Sequence, residues 1–213
     1  NILLFFGNIS NLSRWIKKHK SNPICENLKW KFDYKKREEL FETVISTNGL
    51  DAEPIDYLEF GVSTGGSFRR WTNRIKSLDS KFYGFDTFDG LPEDWGYFKK
   101  GDMSNGNKPP EIEGDRHEFF QGVFQQTLIP FLKEYKSEHK KVIHMDADLY
   151  SATLYVLTLI TPFLRKGDVI LFDEFNVPMH EWKAFQEWSD SFYINYSVVG
   201  SVNNFYQTAI KIE

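Results

Sequence analysis

The chain has 213 residues, which suits one domain with a sizeable core and leaves little room for a second. Its 26 basic and 30 acidic residues give a formal charge of -4 with no basic block, which argues against nucleic acid as a partner. The single cysteine, Cys25, rules out an intrachain disulfide and fits a reducing compartment, and no CxxC or Cys/His cluster points to structural zinc. Aromatic residues make up 17% of the chain, so a ring-filled core is expected, although such rings also line pockets for flat or apolar ligands.

At the start, Ile2-Leu3-Leu4-Phe5-Phe6 is too short to span a membrane and lacks the basic flank of a signal peptide. The first residue is Asn1 rather than Met, which is compatible with a removed segment. Apolar residues at helical spacing predict helices at 10–16 and 34–46, and residues 1–53 read as an N-terminal helical extension. From Pro54 strands and helices alternate, so 54–213 reads as the main domain. Strands are expected over 56–62, 81–88, 118–124, 141–146 and 168–173, with helices over 66–77, 125–135, 151–163 and 180–192. Val142-Ile143-His144-Met145 and Val169-Ile170-Leu171-Phe172 need no polar alternation, because a parallel strand is covered on both faces. Two last strands, 196–202 and 206–212, flank Asn203-Asn204, which reads as a tight hairpin turn. The order predicts a doubly wound three-layer α/β/α sandwich with a C-terminal antiparallel hairpin.

The stretch 90–116 is rich in Gly, Pro, Asn and charge and has no clear period. A loop this long is either disordered or an active-site lid, and Trp95, Tyr97 and Phe98 favour the lid.

Three features point to chemistry. Glu59-Phe60-Gly61-Val62-Ser63-Thr64-Gly65-Gly66-Ser67 joins the first strand to its helix, where glycines allow a sharp turn and a close ligand approach. The spacing Gly-x-x-x-Gly-Gly departs from the dinucleotide fingerprint, so a purely structural role for the glycines stays open. The second strand ends in Asp86, an acid at the place where ribose hydroxyls are commonly held, though a cap is the plainer role. Two further strands end in Asp146-Ala147-Asp148 and Asp173-Glu174. Four carboxylates delivered to the crevice end of a sheet repel unless a cation, a proton or a basic ligand balances them, and a divalent metal is the first expectation.

These residues resemble class I S-adenosylmethionine-dependent methyltransferases, and more narrowly the macrocin O-methyltransferase-like family of metal-dependent sugar O-methyltransferases. The resemblance runs through Leu58-Glu59-Phe60-Gly61-Val62, Phe85-Asp86-Thr87-Phe88-Asp89-Gly90-Leu91-Pro92 and Gln121-Gly122-Val123-Phe124. It continues in Met145-Asp146-Ala147-Asp148-Leu149-Tyr150 and Ile170-Leu171-Phe172-Asp173-Glu174. It implies S-adenosyl-L-methionine as cofactor. Glu59, Gly61, Ser63, Thr64, Gly65, Gly66 and Ser67 would lie along the methionine moiety, with Asp86 and Thr87 at the ribose and Gln121 and Gly122 near the adenine. Asp146 would border the cofactor and, with Asp173 and Glu174, bind Mg2+; Asp148 would be the general base. The family usually has Asp-Asp where this chain has Asp173-Glu174, and the extra methylene shifts a carboxylate within an octahedral shell.

The expected reaction is methyl transfer to a hydroxyl of a sugar or glycosylated small molecule. The metal would acidify that hydroxyl and Asp148 would take its proton. By the same resemblance the setting is cytoplasmic natural-product or polysaccharide biosynthesis, with no membrane partner and with homo-oligomerisation open. His144 reads as a core histidine, and His180 as a structural residue at a helix start. Two other readings compete: a metal-dependent nucleotide-sugar glycosyltransferase using Asp146-Ala147-Asp148, and a non-catalytic methyltransferase-fold binding module. A nicotinamide oxidoreductase fits the sheet but not the glycine spacing.

Overall fold

The structure, a computed structural model, describes residues 2–22, 25 and 29–213. In chain order its elements begin with α1 (Ile2–His19), α2 (Lys35–Asn48), β1 (Ile55–Phe60), α3 (Gly66–Arg74), β2 (Lys81–Asp86) and β3 (His117–Gln121). They continue with α4 (Phe124–Glu134), β4 (Lys140–Met145), α5 (Tyr150–Ile160), β5 (Val169–Phe172), α6 (Glu181–Ser191), β6 (Tyr196–Val202) and β7 (Gln207–Ile212). The chain divides into two compact units, one of Leu50–Ala147 and one of Asn1–Gly49 with Asp148–Glu213. Among the described residues no helix is long and apolar enough to cross a membrane.

In the unit Leu50–Ala147 the strand order is β3-β2-β1-β4 and every pairing is parallel. The pleat sends alternate side chains to opposite faces, and both faces are apolar. Tyr57 and Phe82 point to one face, where Phe68 and Trp71 of α3 cover them; the Tyr57 and Trp71 rings stack at 5.0 Å. Phe60, Phe85 and Phe120 form a stacked row across the other face, with centroids 4.7 and 4.8 Å apart. Phe124 and Phe131 of α4 close that face. Covering on both sides is why β1 is buried along its whole length and β4 along all but its first residue, and it gives the three layers expected of a doubly wound sheet.

In the other unit β5 pairs antiparallel with β7, and β7 with β6. Trp182, Phe185 and Trp188 of α6 are buried, and Phe172 and Phe175 pack on Phe185. Helix α1 is anchored here too. Trp15 lies 4.9 Å from Phe175 and donates its indole N–H to the Tyr196 hydroxyl at 2.8 Å, while the Trp182 indole donates to the Asn8 carbonyl. Helix α2 packs on β6 and β7 through an apolar face of Leu40, Phe41, Val44 and Ile45. It ends at Gly49 in the left-handed region, where glycine carries no Cβ penalty.

Some sequence boundaries shift. The strand expected to reach Phe124 ends at Gln121, because Gly122 at φ 142° breaks the extended run and Phe124 opens α4. The helix expected to reach Phe163 tightens into a 3-10 turn over Thr161–Phe163, with Pro162 inside it. The hairpin turn runs through four residues, with Asn203, Asn204 and Phe205 all at positive φ.

Candidate active site

Within the unit Leu50–Ala147 the chain turns back on itself between β1 and β4: β2 and β3 lie to one side of β1, and β4 to the other. The carboxyl ends of β1 and β4 therefore mark a topological switch point, where open α/β sheets form their ligand crevice. Gly61 and Asp146 sit at this point, directly after the paired Phe60 and Met145. The ladder runs one residue further on each side, the Asp146 N–H donating to the Phe60 carbonyl and the Gly61 N–H to the Phe85 carbonyl, both at 2.9 Å.

Gly61 adopts φ 95°, and a Cβ there would lie 1.7 Å from the Asp146 carbonyl oxygen. Glycine is thus required by the protein's own backbone at this position, whatever ligand the loop receives. Gly65, at φ 76°, would meet the Pro110 ring at 2.7 Å, whereas a Cβ on Gly66 would meet nothing within 4 Å. The turn therefore keeps an open side at Ser63, Thr64 and Gly66, all exposed, at the start of α3. Such a glycine-shaped turn leading into a helix fits a nucleoside cofactor.

Beneath the turn lies a buried polar chain. The fully buried Glu59 carboxylate accepts from the Ser67 hydroxyl at 2.6 Å and from the Tyr57 phenol at 2.5 Å. The Tyr57 oxygen lies 2.9 Å from Nδ1 of the buried His144. Since the phenol's one proton goes to Glu59, the Tyr57 oxygen accepts, and His144 carries its proton on Nδ1. Glu59 thus reaches the glycine turn through Ser67, and His144 is a core histidine with a defined partner.

Asp86 knits the loop together. One carboxylate oxygen accepts from the backbone N–H groups of Val62 and Ser63, each at 2.7 Å, and the other from the Phe88 N–H at 2.7 Å. The cap role and the position at the end of β2 coincide in one side chain. Thr87 donates to the Gly90 carbonyl at 2.7 Å, and the Gly122 N–H to the Asp86 carbonyl at 2.9 Å. Gln121 donates its amide to Asn107 Oδ1 at 2.6 Å, which ties the end of β3 to the long loop.

That loop is ordered by its own bonds. Leu91 and Gly101 are linked by the Gly101 N–H, Leu91 donates to Asp102, and the Trp95 and Phe98 rings stack at 5.4 Å. Pro110 rests against Gly65, and Arg69 donates to the Glu111 carbonyl at 3.2 Å. The loop thus lies over the glycine turn. Of the three aromatics that suggested a lid, Trp95 and Phe98 pair with each other, while Tyr97 is fully exposed.

The second group of predicted residues, Asp148, Asp173 and Glu174, belongs to the other unit. All three are buried, and they share a neighbour in Tyr206. The Tyr206 phenol is pushed far above its ordinary range, first by burial, then by the charges of Glu174, Tyr34, Asp173 and Asp148. Three carboxylates thus act on one hydroxyl, and Glu174 stands 3.5 Å from it. Asp173 Oδ2 takes an ion pair from Arg37 of α2 at 2.8 Å. Its Oδ1 is buried and accepts no hydrogen bond among the described residues. The Glu174 N–H donates to the buried Glu181 carboxylate at 3.0 Å, which fixes the chain after β5. Asp148 holds φ 57°, a strained conformation for a non-glycine residue and of the kind that gathers at functional sites. His180 precedes the first residue of α6, without a side-chain cap hydrogen bond.

Sequence reasoning missed Arg37, Tyr206 and Tyr57. Arg37 stands 136 residues from Asp173, and no local motif announces such a pair. It also gave no function to the five basic residues within 29–37, which share that stretch with Trp30, Phe32 and Tyr34 inside a chain of net negative charge.

The Methyltransferase domain family matches residues 58–175, more than half of the chain. Among curated proteins none matches it in sequence. Solved structures do. CalS11, a calicheamicin methyltransferase, superposes with a TM-score of 0.62 at 19% identity over 97% of this chain and 91% of its own. The O-methyltransferase NovP gives 0.60 at 20% identity, covering 83% and 79%. A structure of cmcI with Mg and SAM gives 0.52 at 15% identity, covering 90% and 89%. The mixed seven-stranded α/β fold is that of the Rossmann-like methyltransferases, and the chain belongs to the Methyltransferase domain family.

Proposed function

We propose that this chain transfers a methyl group from S-adenosylmethionine to a hydroxyl of a sugar or glycosylated small molecule, with Mg2+ held by Asp146, Asp173 and Glu174. The observation that carries the reading is the acid pocket around Tyr206, with one buried Asp173 oxygen left for a ligand. Among its structural relatives, CalS11 is described as a TDP-rhamnose 3'-O-methyltransferase, which supports a sugar acceptor. The cmcI structure with Mg and SAM supports the metal.

The donor set fits a hard cation, which takes carboxylate oxygens and tolerates one or two from the protein with the rest from water. Bound there, Mg2+ would lower the pKa of the acceptor hydroxyl and orient it. The cofactor would supply an electrophilic methyl on a sulfonium. The remaining work falls to the chain. Asp148, held rigidly before α5, accepts the hydroxyl proton as the C–O bond forms. Glu59 and Ser67 set the shape of the glycine turn, and Asp86 holds the turn's backbone against β2. Arg37 holds the Asp173 carboxylate in place through its ion pair at 2.8 Å.

The test is calorimetric titration of the purified chain with S-adenosylhomocysteine and, separately, with MgCl2. Micromolar homocysteine-product binding is expected, and Mg2+ uptake that is lost in Asp173→Asn. A folded protein that binds no S-adenosylhomocysteine would overturn the methyl-transfer reading in favour of nucleotide-sugar transfer. Undiminished Mg2+ uptake by Asp173→Asn would remove the metal assignment.

A further inference from the structure

A cavity of about 380 Å³ opens beside α2, lined by Lys29, Lys31, Lys35 and Lys36 together with Phe32 and Asp33. Four lysines and one aspartate thus line it, in a chain whose overall charge is -4. The Asp33 carboxylate is itself engaged, accepting from the Lys35 backbone N–H at 3.0 Å at the start of α2. Lys36 forms an ion pair with Glu39 at 2.6 Å.

Loose surface lysines would need no shaped backbone, but this segment is clamped. Asn203 donates to the Asp33 carbonyl and accepts from the Asp33 N–H, both at 3.0 Å. Asn204 does the same at Lys29, donating to its carbonyl at 2.7 Å and accepting from its N–H at 2.6 Å. Four hydrogen bonds from one turn thus fix the backbone that carries the lysines.

The cavity also adjoins the acid pocket within the same unit. Phe32, in its wall, meets the Tyr206 ring edge-on at 5.3 Å, and the Tyr206 hydroxyl faces Glu174. Arg37, the residue after Lys36, pairs with Asp173. The Phe32 and Tyr206 rings therefore lie between a cationic cavity and the carboxylates assigned to the reacting hydroxyl. A sugar with a reacting hydroxyl at one end and a diphosphate on its anomeric carbon has the charge pattern that matches these two neighbouring groups. Trp30, fully exposed between Lys29 and Lys31, and Tyr34, largely exposed next to Lys35, are sequence neighbours of the lining lysines and offer ring faces on which a flat base would stack.

We infer that residues 29–36 form a diphosphate-binding subsite, and that the methyl acceptor is a sugar carried on a diphosphate. This rests on the methyl-transfer reading for the identity of the acceptor, while the anion site itself stands on the cavity alone. The diphosphate of a nucleotide carrier and that of a lipid carrier share this chemistry, and only the former would use the exposed rings.

The experiment is calorimetric titration of the whole chain with inorganic pyrophosphate and with uridine diphosphate, each followed by S-adenosylhomocysteine in the same cell. Saturable pyrophosphate binding is expected, falling at least about tenfold in Lys31→Ala/Lys35→Ala and weakening with added salt, as a charge-dominated site must. Tighter binding of uridine diphosphate than pyrophosphate, with the difference lost in Trp30→Ala, would assign a nucleotide carrier; equal affinities would assign another diphosphate carrier. Absence of saturable anion binding in protein that still binds S-adenosylhomocysteine would overturn the subsite and leave the methyl-transfer reading standing. Anion binding unchanged by the double lysine substitution would overturn it equally.

Discussion

Gly61 shows how little freedom single residues have at the centre of this fold. Its φ of 95° is in a region that costs an L-residue about 1–3 kcal/mol, and the missing Cβ is replaced at 1.7 Å by a carbonyl oxygen of the neighbouring strand. Strain and overlap add, so Gly61→Ala is expected to destabilise the protein by more than about 2 kcal/mol, the range of diagnostic single substitutions. Chemical denaturation would show this directly, and a variant as stable as the parent would mean that the β1 and β4 ends separate freely. Glu59 has a different constraint. Both its oxygens are occupied inside the core, so its contribution to any ligand passes through Ser67, and neighbouring side chains decide its orientation.

At the scale of elements, the long loop between β2 and β3 offers the sharpest test. Its approach to the glycine turn depends on Pro110 against Gly65 and on one hydrogen bond from Arg69 to Glu111. A hydrogen bond of about 1 kcal/mol corresponds to about fivefold in local opening. Arg69→Ala should therefore raise cleavage after Glu111 by a glutamate-specific protease about fivefold while leaving tryptic cleavage after Lys99 and Lys100 unchanged, since those residues are held by Asp94 and Asp102. Equal cleavage of parent and variant would show that the loop is not fastened there. The same scale explains what the sequence revealed. The apolar stretches Val142-Ile143 in β4 and Val169–Phe172 in β5 lack polar alternation, and glycine or acid at the strand ends marks the crevice, so β1, β2, β4 and β5 and their terminal acids were legible. The end of β3 was not, because Phe120 and Phe124 look alike in sequence and only the φ of Gly122 separates strand from helix. Nor was the Arg37 pairing, which depends on how α2 packs on β6 and β7.

Over the whole molecule the titration of tyrosine is the most accessible consequence. Burial raises the phenols of Tyr83, Tyr135, Tyr196 and Tyr206, that of Tyr83 to about 12, with Asp56 and Glu118 adding to the effect at Tyr83. A folded-state pKa above the ordinary value of 10 means the folded chain keeps a proton that the unfolded chain releases. The stability these groups contribute is complete below pH 10 and is lost as pH climbs toward 12. Ultraviolet absorbance of phenolate should accordingly rise in two phases, the second coinciding with the loss of helical circular dichroism. A single phase completed in folded protein would show that these phenols are open to solvent.

The clamp formed by Asn203 and Asn204 has a consequence for biosynthesis. Side-chain amides there satisfy the backbone of Asp33 and Lys29, partners 170 and 175 residues away. A ribosome makes the lysine-bearing segment long before the two asparagines that shape it. During translation that segment must wait, solvated and unformed, until 170 and more further residues have been added. Premature termination just before the turn between β6 and β7 would thus leave a protein with its glycine turn encoded in full and its basic cavity missing, a defect written far from where it is felt.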